Sequence, residues 1–73
     1  MNNPNKQQVL TALAETLKLT RKCRDLQDIT YVKAEDKEEF AVVRFEDETF
    51  SVRITADSGF SIIKDVIRFL DRI

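Results

Sequence analysis

The sequence predicts an α+β fold in which a three-stranded antiparallel sheet packs with two helices in the order α-β-β-β-α. Apolar residues recur at helical spacing near both ends of the chain, and they alternate with polar residues in three short central segments. Acidic clusters separate those segments. A chain of 73 residues with one glycine and one proline has the length of a single domain, which we predict to cover residues 1–73.

The first helix is predicted over residues 4–26. Asn3 before Pro4 is a start signal, because an asparagine side chain caps free backbone amides and proline suits the first turn; Asn5 offers a second cap. Cys23 is the sole cysteine, and we expect it to be a small buried hydrophobe. The helix has a broad apolar face that we expect to be buried, made of Val9, Leu10, Leu13, Leu17, Leu19, Cys23 and Leu26.

The three strands are predicted over residues 29–34, 40–45 and 50–56, joined by acidic loops at residues 35–39 and 46–49. Strict alternation in the third strand indicates one apolar and one wet face. A second loop of two or four residues places the apolar positions of strands two and three on one face of the sheet. The predicted cross-strand pairs are Phe45 with Phe50, Val43 with Val52 and Ala41 with Ile54.

The last helix is predicted to begin after a cap at Asp57 or Ser58. Its apolar face comprises Phe60, Ile63, Val66, Ile67, Leu70 and Ile73, with Ile62 and Phe69 at the margin. The simplest arrangement is a two-layer sandwich in which both helices cover the same face of the sheet.

The middle strand is apolar on both sides, because Phe40 and Val42 point away from the predicted covered face. With an even first loop Ile29 and Tyr31 join them on the outer face, whereas an odd loop places Val32 and Ala34 there. Contiguous apolar patches on small domains tend to mark association sites, so we predict a partner-binding surface here. Its predicted residues are Ile29, Tyr31, Phe40, Val42, Arg44, Glu46, Asp47 and Glu48. Two alternatives would cover the patch: one helix on each face, or the stems of Lys33, Arg44 and Arg53.

Charge is unevenly distributed although the net charge is only −1. Residues 25–50 carry nine acidic and three basic side chains, a local net charge of −6, and most of the acids lie in the two loops. We expect the acidic second loop to meet the basic C-terminal turns of both helices at one end of the sheet, where bases also complement the helix dipole.

Several function classes lose support from what the sequence lacks. It contains no histidine, no phosphate-binding glycine loop and no nucleophile motif, so we predict no enzyme, no cofactor and no small-molecule substrate. The lone cysteine and the irregular acid spacing predict no metal site. The longest apolar runs are too short for a bilayer and residues 1–8 show no signal pattern, so we expect no membrane partner and a cytoplasmic location.

The remaining prediction is a small non-catalytic protein-binding domain, whose partner is another protein or a second copy in a homodimer. In general character such a chain resembles the small inhibitors encoded by phages and other mobile elements, including anti-CRISPR proteins, whose acidic loops would occlude a partner's basic surface.

Nucleic-acid binding is the alternative, and the acidic pI of about 5.3 makes it the less favoured one. The element order resembles that of double-stranded RNA-binding domains, but the glycine-rich loop and basic cluster that open their last helix are replaced here by Asp57, Ser58 and Gly59. The residues predicted to serve this alternative are Lys64, Arg68 and Arg72, helped by Arg21, Lys22 and Arg24.

Overall fold

The structure is a computed structural model and describes residues 6–55 and 58–73. It confirms the α+β class and the predicted element order. The three strands form one antiparallel sheet with the order β1-β2-β3. The elements are α1 (Lys6–Leu17), β1 (Leu26–Lys33), β2 (Glu39–Phe45), β3 (Thr49–Ile54) and α2 (Gly59–Arg72).

The β2–β3 hairpin keeps the predicted faces but not the predicted pairs. Val43 lies opposite Phe50 and Ala41 lies opposite Val52, a shift of two residues from the expected register. The hairpin closes more tightly than expected, because the Phe45 N–H donates to the Glu48 carbonyl oxygen at 2.7 Å. Since side chains alternate with a period of two, a shift of two residues leaves every side chain on its predicted face.

The loop of the β1–β2 hairpin contains an odd number of residues. The Ala34 N–H donates to the Glu38 carbonyl at 2.8 Å, which leaves three residues, 35–37, in the turn, and Lys37 adopts a positive φ of 71°. Val32 therefore lies opposite Phe40 on the outer face. Placing Ile29 and Tyr31 on that face is wrong, because they pair with Val43 and Ala41 on the covered face.

Helix α1 is shorter than predicted and ends at Leu17. The Thr20 hydroxyl donates to the Leu17 carbonyl at 2.6 Å, and the Thr20 N–H donates to the same carbonyl at 2.9 Å. At 1.5 Å per residue, a helix continued to Leu26 would extend roughly 13 Å further along its axis. The turns after Leu17 instead fold the chain back, so that Cys23 reaches the core as predicted and Leu26 begins β1.

Both helices cover the same face of the sheet. Helix α1 packs on β1, α2 packs on β3, and the two helices contact each other. Their buried side chains and the inward side chains of the strands form one core, which comprises Leu10, Leu13, Ala14, Leu17, Cys23, Leu26, Ile29, Ala41, Val43, Val52, Ile54, Ile62, Val66 and Leu70. The predicted two-layer arrangement is therefore present, and the alternative with one helix on each face is wrong.

Helix α2 begins after Ser58, one of the two predicted caps. The Ser58 side chain accepts a hydrogen bond from the Ser61 N–H at 3.1 Å, and the Ser61 hydroxyl accepts one from the Ser58 N–H at 3.2 Å. This reciprocal box satisfies amides that the first helical turn leaves free. The other predicted caps, Asn3, Asn5 and Asp57, lie outside the described residues, as does Pro4.

Four apolar residues assigned to the buried helix faces are exposed instead. Their exposed fractions are 87% for Leu19, 73% for Phe60, 42% for Ile67 and 54% for Ile73. Ile62, placed at the margin of α2, is almost fully buried. Phe60 and Ile67 lie on α2 outside the stripe that faces the strands and the other helix. Leu19 lies in the turns after α1, and Ile73 follows the last residue of α2.

Candidate protein-binding surface

The outer face of the sheet carries a small apolar centre. Val32 on β1 lies opposite Phe40 on β2. Val42, two residues further along β2, lies between Thr30 on β1 and Ser51 on β3. Val32 is 40% exposed, whereas Phe40 and Val42 are half-buried by their strand neighbours. Among the described residues no helix or loop packs over this face, so its apolar centre borders solvent.

Two ion pairs frame this apolar centre. Arg44 bonds to Asp28 across β1 and β2 at one end of the face, and Arg53 donates to the Glu38 carboxylate at 2.7 Å at the other. Arg44 and Arg53 thus flank the centre as predicted for a shield. Lys33 does not, because it pairs with Glu39 on the covered side. The four ionic residues carry no net charge, so the face presents a neutral surface to a partner.

Three of the eight predicted partner-binding residues come together on this face: Phe40, Val42 and Arg44. The acidic residues Glu46, Asp47 and Glu48 are all exposed in the β2–β3 turn, beyond the end of the sheet where Arg44 lies. Ile29 is 1% exposed and belongs to the core. Val32, which was tied to an odd first loop, belongs to the face instead.

Tyr31 takes part in a different arrangement, at the margin of the covered face. Its hydroxyl donates to the Glu39 carboxylate, which also accepts a hydrogen bond from Lys6 Nζ at 2.6 Å. The Lys6 ammonium lies 5.4 Å from the centre of the Tyr31 ring. The hydrogen bonds from Lys6 and then Tyr31 hold the pKa of Glu39 below its ordinary value, and the bond to Glu39 raises the pKa values of Lys6 and Tyr31. This cluster ties the start of α1 to the sheet.

A cavity of about 480 Å³ opens at the end of the molecule near the β2–β3 turn. Its wall includes Lys22 together with Asp25, Asp47 and Glu48, so one predicted base does meet the acidic turn. The thiol of Cys23 is free and buried beneath it. The lining consists of Lys22, Cys23, Asp25, Phe45, Asp47, Glu48, Phe50, Leu70 and Ile73.

The six bases of the nucleic-acid alternative do not line one groove. Arg68 and Arg72 line a groove of about 310 Å³ beside β3, with Arg53, Asp65 and Phe69. Lys22 lies at the end cavity instead. The others, Lys64, Arg21 and Arg24, are exposed and line neither of these two cavities. Arg53 joins the basic groove through the register of β3, which the base pattern of α2 alone does not reveal.

Within residues 6–55 and 58–73 no group of three potential metal ligands is close enough to hold an ion, and no helix is long and apolar enough to cross a bilayer. Comparisons of the chain with protein-family models, with curated proteins and with solved structures return no match.

Proposed function

We propose that this chain is a non-catalytic protein-binding domain that associates with a second copy of itself through the outer face of the sheet. The observation that carries the proposal is the uncovered apolar centre formed by Val32, Phe40 and Val42. A domain of this length buries a small core, so association adds apolar burial that folding alone does not supply.

The charge pattern of the face favours a second copy. Each ionic residue at its rim is paired within the chain, Arg44 with Asp28 and Arg53 with Glu38. Two identical faces can therefore meet without net repulsion, and no oppositely charged partner is needed. Side chains of two sheets packed face to face interdigitate across about 10 Å.

The size of the outer face sets the expected affinity of the dimer. Strands spaced by about 4.8 Å and about six residues long give a face of roughly 14 by 20 Å. Two such faces bury roughly 560 Å² in total by this footprint, below the about 1,200 Å² at which stable protein interfaces begin, so the expected dimer is weak and reversible.

The test compares two phenylalanine-to-serine variants by sedimentation over a range of concentrations. Phe40→Ser removes the centre of the outer face and should weaken dimerisation by at least about tenfold, the equivalent of 1.4 kcal/mol. Phe60→Ser is the matched control, because Phe60 is 73% exposed on α2 and lies away from this face. It should leave dimerisation unchanged.

Two results would overturn the proposal. A wild-type chain that stays monomeric at millimolar concentration has no such interface. A dimer weakened by Phe60→Ser but not by Phe40→Ser associates through its helices. Circular dichroism of both variants must show an unchanged fold for either comparison to count.

The finer prediction, an inhibitor encoded by a phage or mobile element, stays a prediction. What supports it is the exposed β2–β3 turn, where Glu46, Asp47 and Glu48 place three carboxylates side by side. If the turn occludes a basic partner surface, reversing these three charges should abolish inhibition of that partner, whereas Phe60→Ser should not.

A further inference from the structure

The two edges of the sheet differ in whether their outward backbone groups have hydrogen-bond partners. At β1 the side chain of Gln7 acts as a substitute strand: its Nε2 donates to the Ile29 carbonyl at 2.9 Å, and its Oε1 accepts from the Tyr31 N–H at 2.8 Å. Covering an edge in this way prevents another strand from pairing there. The β1 edge is closed at its centre.

The β3 edge is open at Ser51 and Arg53. The bond between Phe45 and Glu48 makes that pair a hydrogen-bonded one, and such pairs recur at every second residue of an antiparallel ladder. Val52 and Phe50 therefore direct their backbone groups toward β2, whereas Ser51 and Arg53 direct theirs away from the sheet. No hydrogen bond from the described residues reaches these outward groups.

The groove beside this edge carries an excess of positive charge. It is lined by Arg53, Arg68 and Arg72, with Asp65 as the sole acid and Phe69 as the apolar contribution. Asp65 is already engaged, because its carboxylate accepts the Thr55 N–H at 2.9 Å and the Thr55 hydroxyl at 3.1 Å. Among the described residues, Arg68 and Arg72 make no ion pair within 4.0 Å.

We propose that the β3 edge binds an extended acidic peptide segment of another protein, which adds to the sheet as a fourth strand. Its main chain would pair with the outward backbone groups of Ser51 and Arg53, and its carboxylates would bond to Arg68 and Arg72. Arg53 borders both this edge and the outer face proposed for dimerisation. The groups that carry the two proposals differ, because Arg68 and Arg72 lie on α2 and the apolar centre lies on the outer face, so either proposal can fail alone.

The spacing of the two arginines suits such a strand. Arg68 and Arg72 are four residues apart on α2, a rise of about 6 Å along the helix axis. Alternate residues of an extended strand are about 6.6 Å apart and point to the same side. Carboxylates at two alternate positions therefore match the two guanidinium groups.

Two other occupants, a second copy of the chain and a nucleic acid, fit the β3 edge less well. A second copy pairing through β3 would bring Arg68 and Arg72 toward the same residues of its partner, and like charges would repel. A nucleic acid would use the arginines but has no main-chain donors and acceptors to match those of Ser51 and Arg53.

The experiment measures fluorescence anisotropy of a short labelled peptide of alternating Thr and Glu. A peptide of the same sequence, N-methylated on every central amide, keeps the charge but lacks the main-chain donors on both of its edges. The protein variants are Arg68→Gln with Arg72→Gln, and the matched control Arg21→Gln with Arg24→Gln, which removes two exposed arginines outside the groove.

We expect the peptide without N-methyl groups to bind. Both N-methylation and the Arg68→Gln, Arg72→Gln pair should weaken its binding at least about tenfold, because the first removes main-chain hydrogen bonds and the second removes charge-assisted ones. The control pair should leave binding within about twofold, given how little a screened surface charge contributes.

Four results would overturn it. The peptide fails to bind, or its N-methylated form binds equally well, which indicates attraction by charge alone. The control pair weakens binding as much as the groove pair, which indicates a diffuse field. A single-stranded oligonucleotide displaces the peptide and binds more tightly through the same arginines, which indicates a phosphate-binding surface.

Discussion

The two faces of strand β2 carry similar residues but have opposite environments. Strand β2 supplies Ala41 and Val43, both fully buried, to the covered face and the half-buried Phe40 and Val42 to the outer face. The difference comes from the neighbouring strands and the helices. On the covered face every strand adds apolar residues beneath α1 and α2, whereas β3 adds Ser51 and Arg53 to the outer face.

This comparison teaches that apolar alternation within one strand does not identify the core. Ile29 and Val32 are both β-branched residues of β1, yet Ile29 is 1% exposed and Val32 is 40% exposed. Their burial depends on the parity of the first turn, since one residue more or less in that turn would exchange the two faces of β1.

The largest effect is expected from truncation on the covered side of β1. Ile29→Ala removes a fully buried side chain and should lower the free energy of unfolding by about 2 to 5 kcal/mol. Val32→Ala, three residues further along the same strand, should cost less than about 1 kcal/mol. Chemical denaturation of dilute protein measures both values, and equal losses would show that the outer face is also core.

A smaller effect is expected at the closed edge of the same strand. Gln7→Ala removes both hydrogen bonds to the β1 backbone and should cost about 0.5 to 1.5 kcal/mol for each bond lost. It should also expose the edge and increase aggregation on heating. Light scattering during a thermal melt measures this, with Thr16→Ala as control, because Thr16 is exposed on α1 and its hydroxyl bonds to the Ala12 carbonyl of the same helix. Equal aggregation of both variants would contradict edge protection by Gln7.

The smallest effect is expected at the margin of the covered face, where Lys6, Tyr31 and Glu39 meet. The pKa of Glu39 is lowered from 4.5 by the bonds from Lys6 and Tyr31, so its contribution to stability is present above pH 4.5 and disappears as pH falls through the folded-state pKa. The stability difference between wild type and Glu39→Gln should therefore shrink on acidification.

At alkaline pH the contributions of Lys6 and Tyr31 to stability are lost in turn. Lys6 and Tyr31 have pKa values raised above 10.5 and 10.0 through their bonds to Glu39, so their contribution is present below those values and is lost as pH rises through the folded-state values. Denaturation curves of wild type and Glu39→Gln across pH measure both limits. A difference that stays constant from acid to neutral pH would mean that this carboxylate contributes nothing through its charge.

Much of the fold could be predicted from the sequence, and the errors have identifiable causes. The pairing of β2 with β3 was displaced by two residues, yet Val43 and Phe50 kept their face because the displacement was even. The end of α1 was predicted too late, because Cys23 continues the helical spacing although it reaches the core through turns. Phe60 fits the apolar arc of α2 but lies outside the stripe that the sheet covers.

The candidate surface was predicted less completely than the fold. Phe40, Val42 and Arg44 lie together because they alternate along one strand, a local property. Whether Ile29 or Val32 joined them depended on a turn with a positive φ at Lys37, a residue type that does not favour that conformation. The open β3 edge and its groove combine residues of β3 with residues of α2, and no spacing in the sequence indicates that contact.

The sequence by itself determined the order of the elements and the side of β2 and β3 on which each residue lies, because helical and strand periodicities are local. The tertiary structure alone decided which face of β1 is covered, where α1 ends and which apolar residues of α2 stay in solvent. The physical reason is area: one face of three short strands has room for two helices side by side, and each helix buries only the stripe that touches the sheet and its neighbour.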